Sequence, residues 1–423
     1  MKHWTKWVIL LALFILAIIN FTDKSITGLA GVHIMKDLNL TYTQFGIVGS
    51  SFFWLFSIAG IIGSSLSDRF GTGKVLALLA IIWTISQSMM LLVSSMPLLL
   101  VSRVLLGAGE GPFNATAVSH ISKWFKPESR GFALSILNFG NVVGFAVSAP
   151  IVLFLISKFG WKQAFFVSGI VSFAWLICWL FLVQKKSTES IDERLSKQEN
   201  KQEINRKDLW KALKSPIFIF TTLTAFITYG YVVFGFTFNP AYLMKVKGMS
   251  EQQVGKVIAI AGLIGAILSV VLAIVSDRIF KKTQNMWKSR TLFSAAGVII
   301  SGLMLFLYPL VNGKISIIII LSIVNTLVAT NTTLNATVVI SLFPQRKGVM
   351  TGAYYGILTS AGIVAPIVFG RLIESAGTNP AAGFNSSIFG TSIAMVISAC
   401  FILFFGKQKH SVSTESDSKL VNI

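Results

Sequence analysis

The 423-residue sequence predicts an all-α membrane protein of twelve spanning helices in two pseudo-symmetric bundles of six. Three observations lead there: a composition too apolar for a soluble globule, a succession of membrane-length apolar blocks, and an internal repeat. With 54% hydrophobic residues, 12% charged residues and a mean hydropathy of +0.74, the chain has too little polar surface to cover a water-soluble body of this size.

The apolar blocks run over about 7–31, 42–66, 74–94, 97–122, 131–156, 161–184, 216–244, 252–275, 290–309, 315–342, 348–373 and 383–406. Each is near the ~20 residues that a helix needs to cross a bilayer. The first is too long for the apolar core of a signal peptide and no small-residue cleavage site follows it, so it is expected to remain as span 1. Spans 3 and 4 are divided only by a turn from Ser94 to Pro97. Residues 1–184 form the predicted first bundle, 185–214 a polar, partly helical linker, 215–406 the second bundle and 407–423 a Ser-rich tail. With the amino terminus placed in the cytoplasm, inside segments carry about 26 of the 36 Lys and Arg residues, so both termini are expected to be cytoplasmic. The net charge of +20 is then the basic inner fringe facing an anionic leaflet, and no nucleic acid is implied. Cys178 and Cys400 lie within apolar spans with no His or Cys neighbour at metal spacing, and read as packing residues.

The halves repeat one another. Ser67-Asp68-Arg69 after span 2 recurs as Ser276-Asp277-Arg278 after span 8, and Ala149-Pro150-Ile151 in span 5 recurs as Ala365-Pro366-Ile367 in span 11, at offsets of about 209 and 216 residues. Trp124 to Pro127 before span 5 has a counterpart in Leu342 to Pro344 before span 11. Two similar six-span halves joined by a linker are the sequence sign of bundles that share a site near the membrane midplane.

The stretch from Gly63 to Lys74, with Asp68, Arg69, Gly71 and Lys74 at its centre, resembles the loop signature of the major facilitator superfamily and lies between spans 2 and 3 as that family requires. The resemblance implies a transporter whose loop Asp and Arg link the halves on the cytoplasmic side. Asp68 has the charge that suits a facing helix amino terminus; a solvated, topology-setting turn is the alternative for these residues.

Asn20 to Lys24 in span 1 and Arg103 to Pro112 in span 4 resemble the anion:cation symporter branch of that superfamily, which includes bacterial sugar-acid permeases. In those relatives the span 1 pair is usually Asp-Arg, whereas here it is Asp23-Lys24. Lys lacks the fork that matches a carboxylate plane. Four charges, Asp23, Lys24, Arg103 and Glu110, thus lie inside apolar spans, where each costs several kcal/mol, order ~3, and rarely persists without a task. Asp23 is about eight residues, roughly 12 Å, from the outer end of span 1, and Arg103 about six residues, roughly 9 Å, from that of span 4, so the two are expected at one depth. Arg103 and Glu110, seven residues apart, share one face of span 4. Asp23 beside Arg103 is the acid expected to stay ionised until its partner moves, and the deeper Glu110 is the better candidate proton site; both acids are expected to load protons from outside, freeing Arg103 and Lys24 to receive an anion. Lys24, turned about 100° from Asp23, is the candidate contact for a substrate carboxylate, with pairing to Glu110 or snorkelling as alternatives. For the whole cluster the plain alternative is a static set of ion pairs holding spans 1 and 4 together.

The second half has no formal charge deep within its spans; Lys256, Arg290 and Arg371 lie near span ends. Span 10 instead carries Asn325, Thr326, Thr330, Asn331, Thr332, Thr333, Asn335 and Thr337, and spans 7 and 11 offer hydroxyls including Tyr229, Tyr354, Tyr355, Thr359 and Ser360. A charged half facing a neutral, hydrogen-bonding half suits an organic anion with a polar remainder. Asn331 and Tyr354 are candidate ligand contacts, and family position adds Asn141, Thr359 and Ser360. Phe21 and Phe56 stand where sugar-acid relatives often have Tyr, which favours a less hydroxylated anion.

The resulting expectation is a proton-coupled symporter that imports a small organic anion, a hexonate or hexuronate above all, through the plasma (inner) membrane. Its partners are the anion, protons and the lipid bilayer; a monomer is expected, with no cofactor. A drug/proton antiporter of the same fold is the alternative, although it would favour an acid-lined cavity without two cations. A non-transporting sensor is a further one. No nucleophile, base and oxyanion set indicates an enzyme.

Overall fold

The computed structural model describes residues 2–183 and 206–406; most of the linker (184–205) and the tail (407–423) lie outside the described residues. The first half contains α1 (Lys2–Leu29), α2 (Gly31–Asp37), α3 (Tyr42–Phe70), α4 (Thr72–Ser88), α5 (Met96–Glu110), α6 (Phe113–Trp124), α7 (Pro127–Phe159) and α8 (Trp161–Val183). After α9 (Arg206–Leu213), the described end of the linker, come α10 (Pro216–Thr237), α11 (Asn239–Lys245), α12 (Glu251–Thr283), α13 (Phe293–Leu307), α14 (Lys314–Leu342), α15 (Lys347–Ser375) and α16 (Pro380–Phe405). Among the described residues ten helices are long and apolar enough to cross a membrane. The predicted second span is α3, and the predicted fourth is divided between α5 and α6. The break falls at Gly111-Pro112, because Pro112 has no N–H to continue the ladder of backbone hydrogen bonds.

Local chemistry sets the helix ends. Thr41 and Gln44 form a reciprocal capping box on α3, and Ser250 and Gln253 form the same box on α12, 209 residues later. Proline opens α7, α10 and α16, where its missing N–H costs nothing. Gly71 ends α3 with φ of +87°, a backbone region that favours glycine, and this allows α4 to start at the next residue.

The two halves meet along two seams. In one, α3 packs on α15: a Cβ at Gly46 would fall 2.3 Å from the Pro366 carbonyl oxygen, and the Ser50 hydroxyl donates to the Ile363 carbonyl at 2.8 Å. In the other, α12 packs on α7, where a Cβ at Gly255 would fall 2.9 Å from Cα of Pro150. Gly46 and Gly255 are 209 residues apart, the offset of the Ser-Asp-Arg repeat, and Pro150 and Pro366 belong to the repeated Ala-Pro-Ile motif. Each half thus offers a glycine on one helix and a proline turn on another, and the pseudo-twofold relation brings them together crosswise.

The apolar core shows where the halves part. One cluster contains buried side chains of both, including Leu29, Phe45 and Phe165 with Phe238, Tyr242 and Phe384. A second is drawn from residues 9–182 and a third from residues 209–358. The shared cluster seals the end that carries α2 and α11. Among the described residues the last polar link along α3 and α15 is Ser57 to Thr359 at 3.0 Å. Beyond it Gly356, Gly352 and Gly348 have nothing within 4 Å of a Cβ position, so the seam opens towards the end that carries α9.

Candidate functional site

Asp23, Arg103 and Glu110 are buried to 2% exposure or less, and Lys24 keeps 15% side-chain exposure. Helices α1 and α5 bring them together, each packed on a third element: α1 on α7, and α5 on α3, where a Cβ at Gly107 would meet the Phe52 carbonyl. The Lys24 ammonium lies 3.3 Å from Glu110 Oε2 and donates to Asn20 Oδ1 at 2.7 Å. Its remaining surroundings are aromatic, with the Phe21 and Phe56 ring centres at 4.7 and 5.4 Å. Such faces are attractive to a desolvated cation.

Asp23 is held differently. The Ser168 hydroxyl of α8 donates to its Oδ1, and the buried amide of Gln87 on α4 lies beside it. Among the described residues no carboxylate comes within ion-pair distance of Arg103. Arg103 rests over the Phe52 ring at 5.7 Å with Nη1 unpartnered. The depth argument expects an Asp23–Arg103 pair, whereas the contact formed is Lys24 with Glu110. Equal depth does not fix rotation about the helix axis, and that rotation turns Asp23 towards α8. Both acids and Arg103 remain near enough to act on one another through space.

Lys24 and Arg103 line a pocket between the halves together with Thr27, Phe52, Phe53 and, from α10, Tyr229 and Thr237. Tyr229 packs edge-on against Phe53 at 6.3 Å. It is one hydroxyl among many in the sequence, and only the close approach of α10 to α1 and α3 selects it. Ser168 and Gln87 were likewise hidden in apolar spans. Ser168 and Ser172, four positions apart on α8 and both buried, are a weak signal.

The remaining candidates divide. Thr359 bonds to Ser57 across the seam, but Ser360 donates to the Ile357 carbonyl of its own helix at 2.6 Å. Asn141 is half-buried on α7 with a buried, unpartnered Oδ1. Asn331 is engaged inside the second half: it donates to Ser294 Oγ at 2.7 Å and accepts from Thr228 at 3.3 Å. Tyr354 is buried with its hydroxyl on the Thr332 carbonyl at 3.2 Å, while its neighbour Tyr355 is exposed. Other α14 polar groups follow Asn331: Asn325 accepts from Tyr231, Asn335 accepts from Ser294, and Thr326 and Thr330 bond to their own helix. Buried amides in an apolar bundle find the nearest partner, and here that partner is a neighbouring helix.

In the loop between α3 and α4, Arg69 and Lys74 are exposed and the Asp68 side chain lies outside the described residues. The loop is pinned to its own half. Ser67 bonds to Thr116 at 2.9 Å, Thr72 to His120 Nδ1 at 2.8 Å, and Trp179 Nε1 donates to the Gly73 carbonyl at 2.9 Å. In the second half the matching Asp277 pairs with Arg290 at 2.5 Å.

Comparison with known proteins agrees with this architecture. A hexuronate transporter of Bacillus subtilis is 29% identical over 382 residues, covering 88% of this chain and 89% of its own length. A probable sulfoacetate transporter of Cupriavidus necator is 28% identical over 391 residues, covering 88% and 89%. A probable galactarate/D-glucarate transporter of Bacillus subtilis is 25% identical over 445 residues, covering 97% and 94%. Among solved structures, a D-xylose-proton symporter superposes with a TM-score of 0.76 at 16% identity, covering 96% of this chain and 98% of the other, and shares the fold. A bacterial homologue of the lysosomal transporter Spinster does so with a TM-score of 0.75 at 18% identity, covering 94% and 96%. These relatives are transporters, and this chain is a multi-pass membrane transporter and not an enzyme. The profile of the Major Facilitator Superfamily matches residues 13–366, and with two bundles meeting crosswise around a buried charge cluster, the chain belongs to that superfamily.

Proposed function

We propose that the protein is a proton-coupled symporter that imports a small organic anion, a sugar acid such as a hexonate or hexuronate, by alternating access. The observation that carries this reading is the Lys24–Glu110 ion pair, whose Lys24 lines, with Arg103, a pocket to which both halves contribute. A carboxylate ligand competes with Glu110 for Lys24. Protonation of Glu110 releases the ammonium for the ligand, and loss of the proton restores the pair and expels the ligand. Asp23 is the second proton site, and the unpartnered Nη1 of Arg103 the second anion contact. Tyr229 lines the pocket, and in this reading it meets the uncharged part of the ligand with Asn141 and Thr359, while Asn331, Tyr354 and Ser360 support the helices behind them. The relatives named as hexuronate and galactarate/D-glucarate transporters support a sugar acid.

In this reading residues 1–184 and 215–406 are the two rocking bodies, twelve spans in all, acting as a monomer in the plasma (inner) membrane with both termini cytoplasmic. The sealed end is then extracellular, and the loop of Asp68, Arg69, Gly71 and Lys74 is the gate on the open, cytoplasmic side. A thermal-shift panel of uronates, hexonates, small dicarboxylates and aromatic acids at two pH values tests the reading. A sugar acid that stabilises the protein, more so at the lower pH, is expected. Stabilisation by apolar cations in place of anions contradicts it.

A further inference from the structure

At the sealed end two polar links cross between the halves. His33 Nε2, on the short helix α2, lies 2.7 Å from Oε1 of Glu251, the first residue of α12. The backbone N–H of Thr43, in the first turn of α3, donates to Oε2 of Glu374 in the last turn of α15 at 2.9 Å. In both cases the acid belongs to the second half and its partner to the first. Other charged groups at this end are engaged within one half: Asp37 accepts from Trp161 Nε1 at 2.7 Å, and Lys247 donates to the carbonyls of Pro309 and Val311 at 2.8 and 2.7 Å.

Beyond these two carboxylate links and the Ser50–Ile363 bond of the α3–α15 seam, the seal is packing, as where a Cβ at Gly28 would strike the Phe236 carbonyl. Apolar packing is non-directional, whereas hydrogen bonds fix a register. The placement of the acids also suits opening. Thr43 N–H is one of the donors that the first turn of a helix leaves without an intrahelical partner, and a carboxylate there has the favourable sign for the helix dipole. Glu374 is exposed and Glu251 partly so, so when the end parts each group returns to water at little cost. Links of this kind bias an equilibrium by a few-fold and do not lock it.

We infer that Glu251 and Glu374 are paired latches that set how much of the time this end of the transporter stays shut, one gripping the His33 ring and the other the start of α3. The inference rests on alternating access for its purpose, but its test needs neither substrate nor proton gradient.

Spin labels on cysteines at Lys36 and Thr378, one in each half, with Cys178 and Cys400 replaced by serine, report the width of the sealed end by pulsed dipolar distance measurement. Glu251→Gln keeps the start of α12 polar while removing the charge, and Glu374→Ala removes the acceptor from Thr43. The double variant is expected to raise the wide-distance population at least threefold, with each single variant giving less. His33→Lys, which places a donor opposite Glu251, is expected to retain the narrow distribution. An unchanged distribution in the double variant overturns the inference, as does a His33→Lys protein that opens as far as Glu251→Gln. Failure here with anion binding intact rejects the latches alone, whereas loss of the transport reading leaves this distance result standing.

Discussion

The Lys24 ammonium and the Glu110 carboxylate form an ion pair at 3.3 Å across α1 and α5, beside the unpartnered Nη1 of Arg103. Asp23, Arg103 and Glu110 are buried, and Lys24 and Arg103 line a pocket that Phe52, Phe53, Tyr229 and Phe236 also wall. A pair made only for stability would serve less well than aliphatic residues of the same size, since desolvating both ions consumes most of their attraction. In the proposed mechanism its value lies in being exchangeable: a proton on one partner frees the other.

Removing one member of the pair exposes its cost. Lys24→Met leaves Glu110 buried without its cation, and a loss of about 3–5 kcal/mol is expected for a broken buried pair. Adding Glu110→Gln restores most of the melting temperature, because a neutral amide needs no counter-charge. A double variant less stable than Lys24→Met contradicts the pairing.

Ser168 carries a second stability prediction. Its hydroxyl donates to Asp23 from α8, so Ser168→Ala leaves that carboxylate short of a donor in a buried site, at a cost of about 1–3 kcal/mol in thermal unfolding. An unchanged melting temperature indicates that Asp23 is held by other groups.

The crosswise glycines make a conformational prediction. Alanine is preferred to glycine inside a helix by about 1 kcal/mol, so propensity alone expects Gly46→Ala and Gly255→Ala to stabilise. In the seams the new Cβ would fall 2.3 Å from Pro366 oxygen and 2.9 Å from Pro150 Cα, so both variants are expected to force the sealed end apart. A cysteine at Ser50, which is fully buried against Ile363, should then react several-fold faster with a thiol reagent in either variant. Equal or slower labelling argues that the seams are not the closing contacts.

Much of this fold is legible in the sequence because a bilayer demands helices of a set length, and because the Ser-Asp-Arg and Ala-Pro-Ile repeats keep their order in both halves. The capping boxes of Thr41 with Gln44 and Ser250 with Gln253, which the apolar blocks alone do not pick out, set the starts of α3 and α12. The charge cluster is legible from its cost, but its pairing is not. Asp23 and Lys24 are neighbours about 100° apart, and which of them faces α5 depends on how α1 packs against α7 and α8. The amides of α14 read alike whether they point to a ligand or to a neighbouring helix, and packing turns Asn331 towards Ser294 and Thr228.

The loop between α3 and α4 gives a kinetic prediction. Asp68→Asn is expected to slow turnover while leaving substrate affinity nearly unchanged, since the proposed role of the loop is in gating and not at the pocket. A large affinity loss with normal turnover contradicts that role.

The central claim is that Glu110 couples the proton to the anion, and uptake of labelled glucuronate into proteoliposomes under an inward proton gradient tests it most directly. The unsubstituted protein should concentrate the anion. Glu110→Gln should abolish that accumulation yet retain counterflow exchange, because the amide still releases Lys24 to the ligand but carries no titratable proton. Undiminished gradient-driven accumulation by Glu110→Gln contradicts the account.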